Sequence, residues 1–155
     1  MEEMRAHYRG VLAIILSPAH LYLRGENMQI KKLTPNLIVR SVEASLKFYR
    51  EVLGLETGMT VPEQAPYVFA SVTNGAIEIF FNDQKVVAAE YPKLAATIGA
   101  SLTLYMEVDR LEEVLDRVKK VGAKISMPVT EQFYGMKEFA FEDQDGYTIT
   151  IAEKM

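Results

Sequence analysis

Cysteine and tryptophan are absent from this sequence of 155 residues, and histidine occurs only as His7 and His20. Without cysteine there is no disulfide framework, no thiol nucleophile and no thiolate-bound metal. From residue 28 onward the chain has no imidazole either. Those two groups hold transition metals most tightly and do much of the acid–base work near neutral pH. Basic charge is also short: 17 Lys and Arg against 21 Asp and Glu leave a net charge of −4, with no basic block. Nucleic acid and anionic membrane surfaces are therefore not expected as partners. No apolar run is long enough to span a bilayer. What remains is an ordinary globular composition, 49% hydrophobic, sufficient for one domain with a sizeable core. It suits a reducing cytoplasm, the expected location.

Residues 1–28 do not match the rest. Arg5 and Arg9 precede a short apolar run, VLAIIL (11–16), followed by Ser17-Pro18. Glu2 and Glu3, the shortness of the run and the lack of a small-x-small cleavage site argue against an export signal. The expectation is an N-terminal extension or leader over 1–28, with Met28 as a natural start. The alternative is a run that folds back to cover an apolar edge. Residues 29–155 then form a single domain.

That domain repeats one order of elements. LTPNLIV (33–39) alternates as a strand does, with Pro35 suited to an edge. SVEASLKFYREVLG (41–54) is helical, with Ser41 as N-cap, a stripe of Val42, Leu46, Tyr49 and Leu53, and Gly54 as the stop. Strands are expected at 55–61, 67–73 and 76–82, the last two joined by the hairpin signal Asn74-Gly75. A connector over 83–100 carries a helical turn at 93–98. The order then restarts: a strand at 101–108, a helix at 109–122 with Asp109 and Glu112 as a capping box, and strands at 123–129, 136–142 and 146–152. The chain thus reads β-α-β-β-β twice, as modules 31–83 and 101–153, a duplicated architecture. The expected fold is α+β, two tandem βαβββ modules forming a curved mixed sheet around a cavity.

Each helix must cover one face of its own sheet. The apolar parity, Leu33, Leu37 and Val39, Ile77 and Ile79, Leu102, Leu104, Met106 and Val108, and Ile149 and Ile151, is assigned to the covered face. The opposite parity then lines the uncovered face. It holds Thr34, Asn36 and Ile38, Glu78 and Phe80, Thr103, Tyr105 and Glu107, and Thr148 and Thr150. Such a mixture of aromatic and polar groups suits a small-molecule site. It also suits a solvated sheet rich in good strand formers. EQFYGM (131–136) sets Phe133 and Tyr134 before a glycine, as in a loop at the mouth of a groove.

NLIVRSVEASLKFYREVLGLE, LYMEVDRLEEVLDRVKKVGAKI and FEDQDGYTITIAE together resemble the vicinal oxygen chelate superfamily. Its members include glyoxalase I, extradiol dioxygenases, fosfomycin-resistance enzymes and bleomycin-resistance proteins. The resemblance covers residues 31–153 and implies the fold, not the activity. Metal-using members carry a ligand on the first and last strand of each module. The matching positions here are Thr34, Glu78, Thr103 and Thr150, of which only Glu78 keeps a ligand type. One carboxylate and three neutral hydroxyls make a poor donor set. The resemblance therefore points to the metal-free, bleomycin-resistance-like branch: a homodimer that binds a small molecule and needs no metal or cofactor.

The expected ligand is a bulky aromatic or cationic compound such as an antibiotic. It would be held by Thr34, Asn36, Glu78, Phe80, Thr103, Tyr105, Glu107, Phe133, Tyr134 and Thr150, with no catalytic residue among them. Other readings stay open. One is a metal-dependent glyoxalase- or dioxygenase-type lyase or isomerase with a rearranged ligand set, using Glu78 with Glu107 or a partner subunit's carboxylate. Another is a metal-free epimerase with Glu78 as general base. The last is a purely interacting dimer.

Overall fold

Twelve residues in α1, Val42–Leu53, show how the local sequence sets each element. Ser41 is extended at the N-cap and its hydroxyl accepts from the Ala44 N–H. Gly54 ends the helix in the left-handed region at φ 67°, where a Cβ would be costly. The buried stripe is Val42, Ser45, Leu46, Tyr49 and Val52. The computed structural model describes residues 29–99 and 101–155. The expected leader, with both histidines, lies outside the described residues.

The first module consists of β1 (Asn36–Val39), α1, β2 (Glu56–Val61), β3 (Phe69–Thr73) and β4 (Glu78–Asp83). Two short connector helices follow, α2 (Gln84–Glu90) and α3 (Pro92–Ala95). The second module consists of β5 (Thr103–Glu107), α4 (Leu111–Val121), β6 (Ile125–Glu131), β7 (Met136–Glu142) and β8 (Thr148–Lys154). Each module forms its own four-stranded mixed sheet, ordered β1-β4-β3-β2 and β5-β8-β7-β6. β1 and β5 are parallel to β4 and β8, and the other pairings are antiparallel. The α+β fold of two βαβββ modules stands as read, with the sheet divided in two.

Within the strands the covered parity is buried, but Leu33, Ile77 and Leu102 are exposed, because β1, β4 and β5 begin after them and no strand pairing holds them over the core. Leu37, Val39, Ile79, Phe81, Ile149 and Ile151 join Tyr49, Phe139, Phe141 and the α4 stripe Leu111, Val114, Leu115 and Val118 in one contiguous core. Each large apolar side chain buried there contributes on the order of 2 kcal/mol. Phe48 of α1 meets Phe141 of β7 at a ring-centroid distance of 6.2 Å, so the core crosses between the modules.

A polar latch reinforces that crossing. Asp143, in the turn before β8, accepts the backbone N–H groups of Asp145 and Tyr147 and the phenol of Tyr49. Burial still pushes its carboxyl above the ordinary value. Asp145 takes the Arg40 guanidinium at 3.0 Å, and Gln144 donates to Ser45. The Tyr147 phenol accepts from the Ile38 N–H and donates to the Ile38 carbonyl, at 3.2 and 3.0 Å. It satisfies both backbone groups that this residue of edge strand β1 would otherwise leave buried and unpaired. Gly99 lies so close that a Cβ there would collide with the Asp145 carbonyl.

Three local expectations are corrected. Asn74-Gly75 does not make a two-residue hairpin. The loop runs from Asn74 to Ile77, and Asn74 Oδ1 accepts from the N–H groups of Ala76 and Ile77. The Asp109–Glu112 capping box does not form. Glu112 turns to Lys137 of β7, and the Leu111 N–H is met at 3.4 Å by Glu153 of β8. A strand neighbour has displaced a local partner. The connector is more helical than its composition suggested. Asp83 caps α2 by accepting from Lys85 and Val86, yet α2 buries no residue, so it leaves no apolar stripe in the sequence.

Candidate functional site

Helices α1 and α4 occupy one side of each sheet, so the other sides remain for a ligand. In the first module, register places Asn36 beside Phe80, Ile38 beside Asn82, and Phe80 beside Ser71. Phe80 is half-buried because it packs edge-on against Phe69 at 5.1 Å. Asn82 donates its amide N–H to Asn36 Oδ1. A cavity of about 250 Å³ lies over Asn36, Ile38 and Asn82, roofed by Val86, Tyr91 and Leu94 of the connector. Thr34 is half-buried two residues before β1, and Glu78 is half-buried at the first position of β4.

The second module gathers a different set. Tyr105 of β5 donates to Glu138 Oε1 at 2.7 Å, and Tyr134 donates to the same oxygen at 3.0 Å. Glu138, on β7, is only 4% exposed. Its register partner on β8 is Ala152, which in turn pairs with Glu107 on β5. The small alanine lets the Tyr105 ring reach across β8. The rings themselves stay open to solvent, with Tyr105 51%, Tyr134 53% and Phe133 98% exposed. Phe133 meets Tyr134 edge-on at 5.0 Å. The bond to Glu138 holds the Tyr105 phenol as a donor, raising its pKa from 10.0 to about 12. The Tyr134 phenol is pushed up as well, by burial and then by the same carboxylate.

The ten expected residues thus fall into two groups. Asn36 and Phe80 lie on the first sheet, near Thr34 and Glu78. Tyr105 and Tyr134 converge on Glu138, while Thr103, Glu107 and Thr150 share their sheet face and Phe133 stands at the loop tip. Tyr105 pairs in register with Thr150, and Thr103 with Thr148. Glu138 itself was missed. The signal available was a single acid inside the apolar stretch MKEFAF (136–141), on the parity opposite Phe139 and Phe141.

A catalytic metal does not fit these residues. Thr34, Thr103 and Thr150 bring neutral hydroxyls and Glu78 one carboxylate. Among the described residues no group of three His, Cys, Asp or Glu could hold an ion. Hard divalent cations need several charged or carbonyl oxygens, and softer ones need imidazole or thiolate.

Doubled βαβββ modules, each with a helix on one face of its own four-stranded sheet, define the class of α+β fold seen here. The family model of the Glyoxalase/Bleomycin resistance protein/Dioxygenase superfamily matches residues 29–151, and the chain belongs to that superfamily. Among solved structures it is similar to a glyoxalase/bleomycin resistance protein/dioxygenase family enzyme from Burkholderia phytofirmans PsJN. That match has 19% identity, covers 79% of this chain and 97% of the other, and has a TM-score of 0.68. TioX from Micromonospora sp. ML1 matches at 14% identity over 81% of this chain and all of its own, with a TM-score of 0.65. The fosfomycin resistance protein FosX from Listeria monocytogenes matches at 12% identity, over 83% and 96% of the two chains, with a TM-score of 0.61. At these identities the likeness is one of fold. No curated protein matches the sequence. No described helix is long and apolar enough to cross a membrane.

Proposed function

We propose that this protein binds a bulky aromatic or cationic small molecule and releases it unchanged. It would do so as a metal-free, cytoplasmic homodimer. The observation that carries the reading is the pair of open rings, Tyr105 and Tyr134, anchored on the buried Glu138 carboxylate, with Phe133 beside Tyr134 at the loop tip. Rings anchored through their hydroxyls offer stacking area with little ordering cost, each contact worth roughly 0.5–1.5 kcal/mol beyond area burial. The superfamily and a fosfomycin resistance protein of the same fold support the coarser part of the reading, that of a small-molecule binder. The metal-dependent alternative finds no support in the donor set.

Two sheets with open edges favour self-association. The outer edge of β5, which carries the exposed residues Thr103, Tyr105 and Glu107, is the place for a second copy to close the site. Calorimetric titration with bleomycin-class glycopeptides and aromatic metabolites tests the binding reading. Tyr105→Ala is expected to weaken a ligand so found about tenfold, with a modest fall in the unfolding midpoint from the lost bond to Glu138. An unaltered affinity removes Tyr105 from the site. Elemental analysis of protein purified without chelator provides the opposite test, because a stoichiometric transition metal overturns the metal-free reading. Light scattering checks the dimer.

A further inference from the structure

The chemistry of the second sheet narrows the ligand. Glu138 is a carboxylate with almost no exposed surface, yet it sits on the sheet face left open by the helix. Both phenol protons are directed at one oxygen, Oε1. This arrangement leaves Oε2 for another donor. Glu107 occupies the same row, one strand beyond Ala152, so Tyr105 stands between two acids. The positive groups at hand are peripheral. Lys154 lies at the exposed end of β8, in register with Met136, and Lys137 is turned away to Glu112 on α4. A carboxylate with three solvent-exposed aromatic rings around it has the composition of a cation receptor. Ring faces attract a cation through their quadrupoles, and the acid supplies directional hydrogen bonding at reduced dielectric.

We infer that the Tyr105–Glu138–Tyr134 cluster recognises the protonated amine of an aromatic amine ligand. The ammonium N–H would donate to Glu138 Oε2, and the ligand's ring system would lie against Tyr134 and Phe133. This deepens the binding reading and rests on it. A neutral or anionic aromatic compound would bind less well, because it desolvates the carboxylate without returning a charge-assisted bond.

The absence of tryptophan makes indole emission a clean reporter, so the probes are tryptamine, cationic at neutral pH, and its uncharged counterpart tryptophol. Fluorescence anisotropy of each is followed on the full chain and on Glu138→Gln and Tyr105→Phe. Tryptamine is expected to bind at least tenfold more tightly than tryptophol, with the preference weakening as salt is added. Glu138→Gln should erase that preference by weakening tryptamine while tightening tryptophol slightly, since no carboxylate is left to desolvate, a split that a purely structural role would not produce. Tyr105→Phe, which keeps the ring and the carboxylate, should retain a preference for the cation. Equal binding of both probes to the wild-type protein overturns the cation assignment and leaves the aromatic site standing. Failure of both probes at millimolar concentration overturns the site itself. A charge preference that survives in a folded Glu138→Gln variant places the receptor elsewhere and also overturns the assignment.

Discussion

The two modules share one sequence of elements but put their final hairpins to opposite uses. In the first, the β3–β4 loop is exposed and bonds only to itself: Thr73 and Asn74 accept from Gly75, Ala76 and Ile77. In the second, the β7–β8 turn is buried and grips the other module through Tyr49, Arg40, Ser45 and Ile38. NGA (74–76) and DGY (145–147) occupy equivalent places, and the difference lies in Tyr147 against Ala76. One phenol closes the edge of β1, whereas β5 has an exposed edge and exposed aromatics. A duplicated architecture has thus divided its labour. One end of the repeat holds the fold together, and the other leaves a sheet face open.

Breaking the latch is the sharpest test of that division. Tyr147→Phe keeps the ring and removes both bonds to Ile38, leaving a buried N–H and a buried carbonyl unpaired. The expected loss is about 2–6 kcal/mol in denaturant unfolding, from roughly 1–3 kcal/mol for each orphaned group. A loss below about 0.5 kcal/mol would show that the edge of β1 does not need the phenol.

On the ligand side, the effect is read as titration. Tyr105 is held protonated to about 12 by its bond to Glu138. The folded state therefore favours the neutral phenol. Its contribution to stability is whole below about pH 10 and disappears as pH rises through about 12. In Glu138→Gln the acceptor has no charge, so phenolate absorbance should develop at lower pH than in the wild type. Superimposable titrations would deny the carboxylate its hold on the ring.

The smallest effect belongs to the exposed hairpin. Asn74→Ala removes two solvent-accessible bonds and should cost about 0.5–1 kcal/mol, without altering ligand binding. A loss as large as that of Tyr147→Phe would erase the contrast between the hairpins.

Much of this was legible in the residues. Ser41 and Gly54 mark the ends of α1 because a hydroxyl cap and a left-handed glycine act within one turn of the chain. The parity of Leu37, Val39, Ile149 and Ile151 selects the core face because strand side chains alternate strictly. Tyr105 and Tyr134 were recognisable as open aromatics. Glu138 was not, because only the β5-β8-β7 register brings it beneath Tyr105, 33 residues away in the chain. The capping of α4 failed for a similar reason: Glu153 is a partner 42 residues distant.

The sequence by itself determined the doubled order of elements, the ends of α1 and the burial side of the first and last strand of each module. All of these follow from short-range periodicity and residue type. Tertiary structure alone decided which acid meets the two phenols and which tyrosine seals β1. Those bonds join residues 33 and 109 positions apart. Such partners are set by strand register and by packing of the shared core, which no local pattern of residues encodes.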